Sequence, residues 1–226
     1  MVDEESVDTL RFFTKLKCRL MPYLFAQAQE AHTGGIPTLR AMLLEFPNDP
    51  ACDTLDRQYL LGESLLVAPV FSTDNIVDYY LPPGQWTNFI TGKAYSGPGW
   101  VRESHGFLSI PLMVRPNSVI AVGGRDDKPD YDYTEGTTYQ VYALEDGQSV
   151  TTIVPNLSGS PALQVVTERQ GEQITVSVEG DAKGWQVLLV GIFSVASVTG
   201  GSSKSSEQGM RIQPEEGAKS VKVRLR

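Results

Sequence analysis

From Ser64 to the C-terminus, short apolar runs alternate with breaks rich in Pro, Gly and Asp, and this repetition restricts the fold more than any other feature. It predicts strands over 65–71, 76–81, 86–89, 107–112 and 119–122, with turns at Pro82-Pro83-Gly84 and Gly97-Pro98-Gly99. Short strands at such intervals specify an all-β sandwich or barrel. Farther along, Ile174, Val176 and Val178 alternate with Thr175, Ser177 and Glu179, and Trp185, Val187 and Leu189 keep the same rhythm, as do Tyr139 and Val141. Successive side chains of a strand point to opposite faces, so the pattern predicts half-buried antiparallel strands with one face in water. The Gly- and Ser-rich stretch 199–209 predicts a loop, and 123–130 predicts a linker between two β domains.

Before residue 62 the pattern changes. Asp3, Glu4 and Glu5 precede Leu10, Phe13, Leu16, Leu20 and Leu24, whose spacing of three or four marks the buried face of a helix with an acidic start. Pro22 predicts a kink or a break into two helices, and Thr33-Gly34-Gly35 predicts the stop. Residues 37–44 then predict a short, mostly buried strand, and 53–61 a second short helix. Helix, buried strand, helix is the rhythm of a parallel α/β structure, yet a closed barrel needs eight such units and about 250 residues. The expected architecture is mainly β: the last βα part of a (β/α)8 barrel over 1–62, then two antiparallel β-sandwich domains over 63–124 and 125–226.

The net charge of −8 opposes nucleic acid and acidic membranes as partners. No apolar run approaches the ~18 residues of a membrane-spanning helix, and the first residues lack the basic and apolar regions of a secretory signal, so a cytoplasmic location is expected. Lys219, Lys222, Arg224 and Arg226 are interleaved with Val221, Val223 and Leu225, the solvated face of a strand rather than a phosphate-binding strip. Cys18 and Cys52 are too few for a disulfide framework or a zinc site and read as free, buried thiols. No grouping of His, Cys and carboxylates has ligand spacing, so neither metal nor cofactor is expected. His32 and His105 stand beside no elbow motif, and a catalytic triad is not expected. The stretch 200–205 fails as a phosphate loop because Ser203 and Val198 occupy its two glycine positions.

Glu45, Asp49, Asp53 and Asp56 cluster after the expected buried strand. Glycoside hydrolysis uses two carboxylates across a sugar, which makes such a cluster a candidate. Asp49, Asp53 and Asp56 read better as turn and cap residues around Pro50. Glu45 lies nearer the strand end and is the one weak substrate-proximal candidate. Trp86, Trp100, Tyr131 and Tyr133 could form sugar-stacking platforms or fill cores. The core reading is favoured for both tryptophans, and the tyrosines are balanced.

Longer strings go further. Arg11-Phe12-Phe13, 16–24 (LKCRLMPYL), 40–47 (RAMLLEFP), 56–62 (DRQYLLG) and 66–71 (LVAPVF) closely resemble glycoside hydrolase family 31. Tyr80-Leu81-Pro82 with Gly84 and Trp86, and Arg115 with Asn117, continue the likeness. Residues 125–133, Glu135-Gly136-Thr137 and Ser206-Glu207-Gln208-Gly209 are similar to the distal domain of its bacterial-type α-xylosidases. The resemblance implies a retaining enzyme that removes terminal α-linked xylose from xyloglucan-type oligosaccharides, using one aspartate as nucleophile and another as acid and base. In the family both lie upstream, and no residue here matches either motif, so no catalytic residue is assigned. Residues 3–8 already resemble the inside of the family's barrel, so the chain is expected to begin within a domain. The expected partners are an α-xyloside oligosaccharide held by the complete enzyme and the missing N-terminal barrel portion, with homo-oligomerisation left open. Two other readings stand beside this one: a subunit of a split glycosidase, and a non-catalytic carbohydrate-binding β module.

Overall fold

One long α-helix, α1 (Glu4–Gly34), opens the structure, a computed structural model that describes residues 4–226. Glu4 and Glu5 lie in its first turn, their charge matched to the positive end of the helix dipole, and His32 lies in its last turn; Asp3 lies outside the described residues. Pro22 does not divide it. A proline inside a helix costs about 3 kcal/mol, but Cys18, Leu20 and Tyr23 around it are buried, and each large apolar side chain buried returns about 1.5–3 kcal/mol. The predicted apolar face is covered unevenly: Leu20 is buried, whereas Leu10 is 70% exposed. The helix stops where Gly35 takes a positive φ of 72° and its N–H reaches Ala31 O at 3.1 Å.

The chain folds into two compact units, the first built from residues up to Leu16 together with Gln27–Arg115. It holds β1 (Leu39–Ala41), α2 (Met42–Glu45), a 3-10 turn (Pro50–Cys52), β2 (Tyr59–Leu61), β3 (Leu65–Val67), β4 (Ile76–Asn88), β5 (Ala94–Ser104) and β6 (Leu112–Val114). The six strands form one sheet in the order β1-β2-β3-β6-β4-β5, every pair antiparallel. This corrects several expectations. The strand foreseen over 37–44 is only three residues long, has Arg40 as its sole buried side chain, and pairs antiparallel. The helix foreseen over 53–61 is absent: the 3-10 turn ends at Cys52, and Tyr59–Leu61 is pinned as a strand between β1 and β3. For the same reason the sheet runs unbroken across residue 62. The strand foreseen over 107–112 is shifted to β6, leaving Phe107 and Leu108 exposed.

The two Pro- and Gly-rich breaks do not end strands. Pro82-Pro83-Gly84 is a register shift inside β4, and Gly97-Pro98-Gly99 lies inside β5 directly opposite, with Leu81 facing Gly99 and Gly84 facing Gly97. A Cβ on Gly97 would fall 2.0 Å from Pro82 O, so glycine is what permits this approach. Trp86, Tyr79, Leu60, Leu66, Met42 and Met113 form the core of the unit.

The second unit takes Lys17–Ala26 and Pro116–Arg226. Its strands are β7 (Ser118–Val122), β8 (Thr138–Tyr142), β9 (Ser149–Pro155), β10 (Pro161–Gln170), β11 (Gln173–Gly180), β12 (Gln186–Val190), β13 (Val195–Thr199), β14 (Gly201–Ser206), β15 (Gly209–Pro214) and β16 (Ser220–Leu225). They make two five-stranded sheets, β13-β16-β11-β10-β9 and β14-β15-β12-β8-β7. Ile174, Val176, Val165 and Val221 from the first meet Val141, Val187, Leu189 and Ile212 from the second in one core, as in a sandwich. The alternation read over 174–179 and 221–225 is present strand by strand.

Three expectations fail in this unit. β8 and β12 pair in parallel, and both are buried on both faces along most of their length. The loop foreseen over 199–209 contains β14, an exposed strand paired to β15. Its alternation is invisible because its side chains are nearly all Ser and Gly. Residues 123–130 lie wholly inside the unit rather than linking two: Gly123 is buried, and its N–H reaches Arg19 O at 2.7 Å. Among the described residues no helix is long and apolar enough to cross a membrane.

Candidate functional site

The clustered carboxylates of the first unit do not converge on open space. Arg40 is buried on β1; its Nη1 donates to Glu45 Oε1 at 2.7 Å, its Nη2 to Glu30 Oε2 at 2.6 Å and Gln27 Oε1 at 2.9 Å, and its Nε to Pro37 O at 3.1 Å. Burial works against the Arg40 charge, but hydrogen bonds and attraction from Glu45 and Glu30 outweigh it and hold the guanidinium above its ordinary pKa. The other oxygen of Glu45 accepts from Arg115 Nη1 at 2.9 Å, and the Arg115 guanidinium lies 4.7 Å from the Phe46 ring centre. The Glu45 side chain is 14% exposed with both oxygens taken, the arrangement of a structural ion pair rather than of a nucleophile or proton donor.

Asp49 caps the 3-10 turn through Ala51 N at 3.1 Å and accepts from Tyr80 Oη at 2.9 Å. Asp53 closes the same turn, and Asp56 is exposed. Cys52 is buried beneath them; burial first, then the charges of Asp49 and Asp53, push its thiol up to about 11. A thiol held so high stays protonated near neutrality and is a poor nucleophile. Cys18 is free and buried as well, in the second unit.

One constellation was not foreseen. His105 contacts Ser109 Oγ through Nδ1 at 2.6 Å and Glu103 Oε1 through Nε2 at 3.0 Å, and Glu103 also accepts from Tyr79 Oη at 2.8 Å and Tyr95 Oη at 2.9 Å. Burial opposes the Glu103 charge, but the bonds from Tyr79, Tyr95 and His105 outweigh it and hold the carboxyl below its usual range. The order Ser, His, Glu is that of an acyl-transfer triad. Such a site also needs free N–H donors for an oxyanion, and Ser109 N already donates to Gly106 O at 3.0 Å. The cluster therefore reads as a lock at the end of β5. The spacing Glu103, His105, Ser109 was its only trace in the sequence. Among the described residues no group of three or more His, Cys, Asp or Glu is placed to hold a metal.

The four candidate platform aromatics separate cleanly. Trp86 is fully buried, its Nε1 donating to Pro82 O at 2.8 Å. Tyr131 and Tyr133 are buried against each other, ring centres 4.8 Å apart. Trp100 is 65% exposed, which reverses the expectation of a core residue. Its position on β5 turns the indole to the side of the sheet that carries Asp78 and Arg102.

Residues 35–120 match the family described as glycosyl hydrolase family 31 C-terminal domain, and residues 132–225 match that described as α-xylosidase YicI, C-terminal domain. An α-xylosidase of Emericella nidulans is 37% identical over 177 residues, covering 75% of this chain and 23% of that protein. α-Xylosidase XylQ of Lactiplantibacillus pentosus is 34% identical over 182 residues, covering 79% and 24%. The chain thus spans about a quarter of the length of these relatives. Among solved structures, the cycloalternan-forming enzyme of Listeria monocytogenes, in complex with a pentasaccharide substrate, superposes with a TM-score of 0.84 at 17% identity, over 98% of this chain and 24% of that one, a likeness of fold.

Proposed function

The chain belongs to glycoside hydrolase family 31, and from that premise we propose that it is the C-terminal portion of a retaining α-xylosidase. The observation that carries this reading is the succession of two family matches along one chain, the second named for an α-xylosidase, together with 37% and 34% identity to two α-xylosidases. The longer protein would remove terminal α-linked xylose from xyloglucan-type oligosaccharides. Its two catalytic aspartates would lie upstream, and the chain by itself would not turn over substrate. With both oxygens bound to arginine, Glu45 would brace the structure rather than meet the sugar.

In this proposal α1 is the last helix of the barrel, standing ahead of the first family match at residue 35. The apolar side chains of Leu10, Leu39, Leu43 and Leu44, each between 47% and 70% exposed, support it as surface that the missing barrel would cover. The deciding experiment pairs two measurements. The native polypeptide carrying these peptides should have an intact mass several times 24.8 kDa, and the isolated chain should release no nitrophenol from p-nitrophenyl α-D-xylopyranoside. Turnover by the isolated chain, or a native mass near 24.8 kDa with no barrel-bearing partner, would overturn the proposal.

A further inference from the structure

On one face of the β4–β5 hairpin, Asp78 stands opposite Arg102 and Tyr80 opposite Trp100. Side chains repeat every two residues along a strand, so these pairs are adjacent rungs about 7 Å apart. Arg102 Nη1 lies 3.2 Å from Asp78 Oδ2, and the Trp100 and Tyr80 rings are 5.8 Å apart, tilted by 58°. Tyr80 is buried and anchored to Asp49, so it is a fixed backing for the indole, whose remaining surface faces solvent. Asp56 and Arg57 line the same groove as Asp78 and Trp100, and it encloses about 490 Å³, within the range of small-ligand sites.

A pyranose has an apolar face of C–H groups and a rim of hydroxyls. The indole matches the face, and carboxylate and guanidinium groups supply acceptors and donors for the rim. Asp56, Asp78 and Arg57 line the groove, and Arg102, which lines the adjoining depression, neutralises Asp78 at 3.2 Å, so the charges at the groove and its edge balance and favour a neutral ligand over an anion or a cation. We propose that this groove binds a neutral pyranose oligosaccharide, with one ring stacked on Trp100 and its hydroxyls bonded by Asp78 and Arg102. The inference rests on the groove's own geometry and stands whether or not the reading above holds.

The test uses the indole N–H resonances of the chain's three tryptophans. The Trp86 and Trp185 N–H groups are bonded to Pro82 O and Ala218 O, so both report on the fold, while Trp100 reports on the groove. Titration of the full chain with a xyloglucan heptasaccharide or maltopentaose, to about 10 mM so that weak millimolar affinity registers, should shift Trp100 saturably and leave the other two in place. Trp100→Ala should weaken binding at least tenfold with the Trp86 and Trp185 signals unmoved, and Asp78→Asn should weaken it several-fold. Absence of any shift with either sugar would overturn the proposal, as would binding that survives Trp100→Ala. Preference for an oligogalacturonate would overturn its neutral-ligand part.

Discussion

Glu45 has one oxygen on Arg40 and the other on Arg115, and Arg40 is itself almost wholly buried, so these residues stand or fall together. Removing one partner of a buried pair strands the other charge and costs about 3–5 kcal/mol. Arg40→Leu is therefore expected to destabilise the first unit by about 3 kcal/mol, read as a lowered urea midpoint, because it takes one of the two arginine partners from the half-buried Glu45 and the arginine partner from Glu30. Glu45→Gln keeps the shape and should cost less, about 1–3 kcal/mol. A variant as stable as the parent would mean that Glu45 is free for another task. Gly123 offers a second test. A Cβ there would fall 1.8 Å from Tyr131 Oη, which is buried and donates to Cys18 O at 2.9 Å. Gly123→Ala should destabilise the second unit by about 1–3 kcal/mol, visible in thermal unfolding.

The β4–β5 hairpin shows how two breakers become compatible with one element. Each would end a strand alone; placed opposite, the shift at Pro82-Pro83-Gly84 and the bare backbone of Gly97 fit against each other. Gly97→Ala is expected to loosen this contact and speed amide exchange along both strands. Glu103 joins the hairpin to the loop of His105 and Ser109. Its carboxyl titrates below the ordinary range when folded, so the unfolded chain binds more protons in the acidic region beneath that range. The stability it contributes is complete above the unfolded carboxyl pKa and is lost as the pH falls through the folded one. Acid unfolding of Glu103→Gln should therefore show a shallower acid limb than the parent. An unchanged limb would show that the Tyr79, Tyr95 and His105 bonds contribute nothing to stability.

For the whole chain, the uneven cover of α1 has a measurable consequence. Cys18, Leu20 and Tyr23 are buried, whereas nearly all the side chains of residues 4–11 are exposed. Amide exchange in the isolated chain should be slow over 18–23 and fast over 5–12, because local opening follows the density of buried contacts. Uniform protection along the helix would show that its first turns are covered rather than exposed as in this structure. Family membership belongs to this scale as well: strings spread from Arg11 to Gly209 carried the resemblance, and the matches at 35–120 and 132–225 bear it out.

What the sequence determined by itself was the β character, the end of α1 at Gly34-Gly35, and the buried faces of β11 and β16, because alternation and helix stops are local properties of a few adjacent residues. The tertiary structure alone decided which strands meet. The parallel pairing of β8 with β12 and the three-residue strands β1 and β2 depend on partners about 20 or more residues away in the chain, and the edge strand β14, with no apolar rhythm of its own, is held by pairing to β15. The same holds for single residues. Arg115 reaches Glu45 across 70 positions, and register sets Trp86 inside the first unit and Trp100 outside it. A strand's repeat of two says that every other side chain shares a face. Which face is dry is settled only when the neighbouring strands and loops have packed.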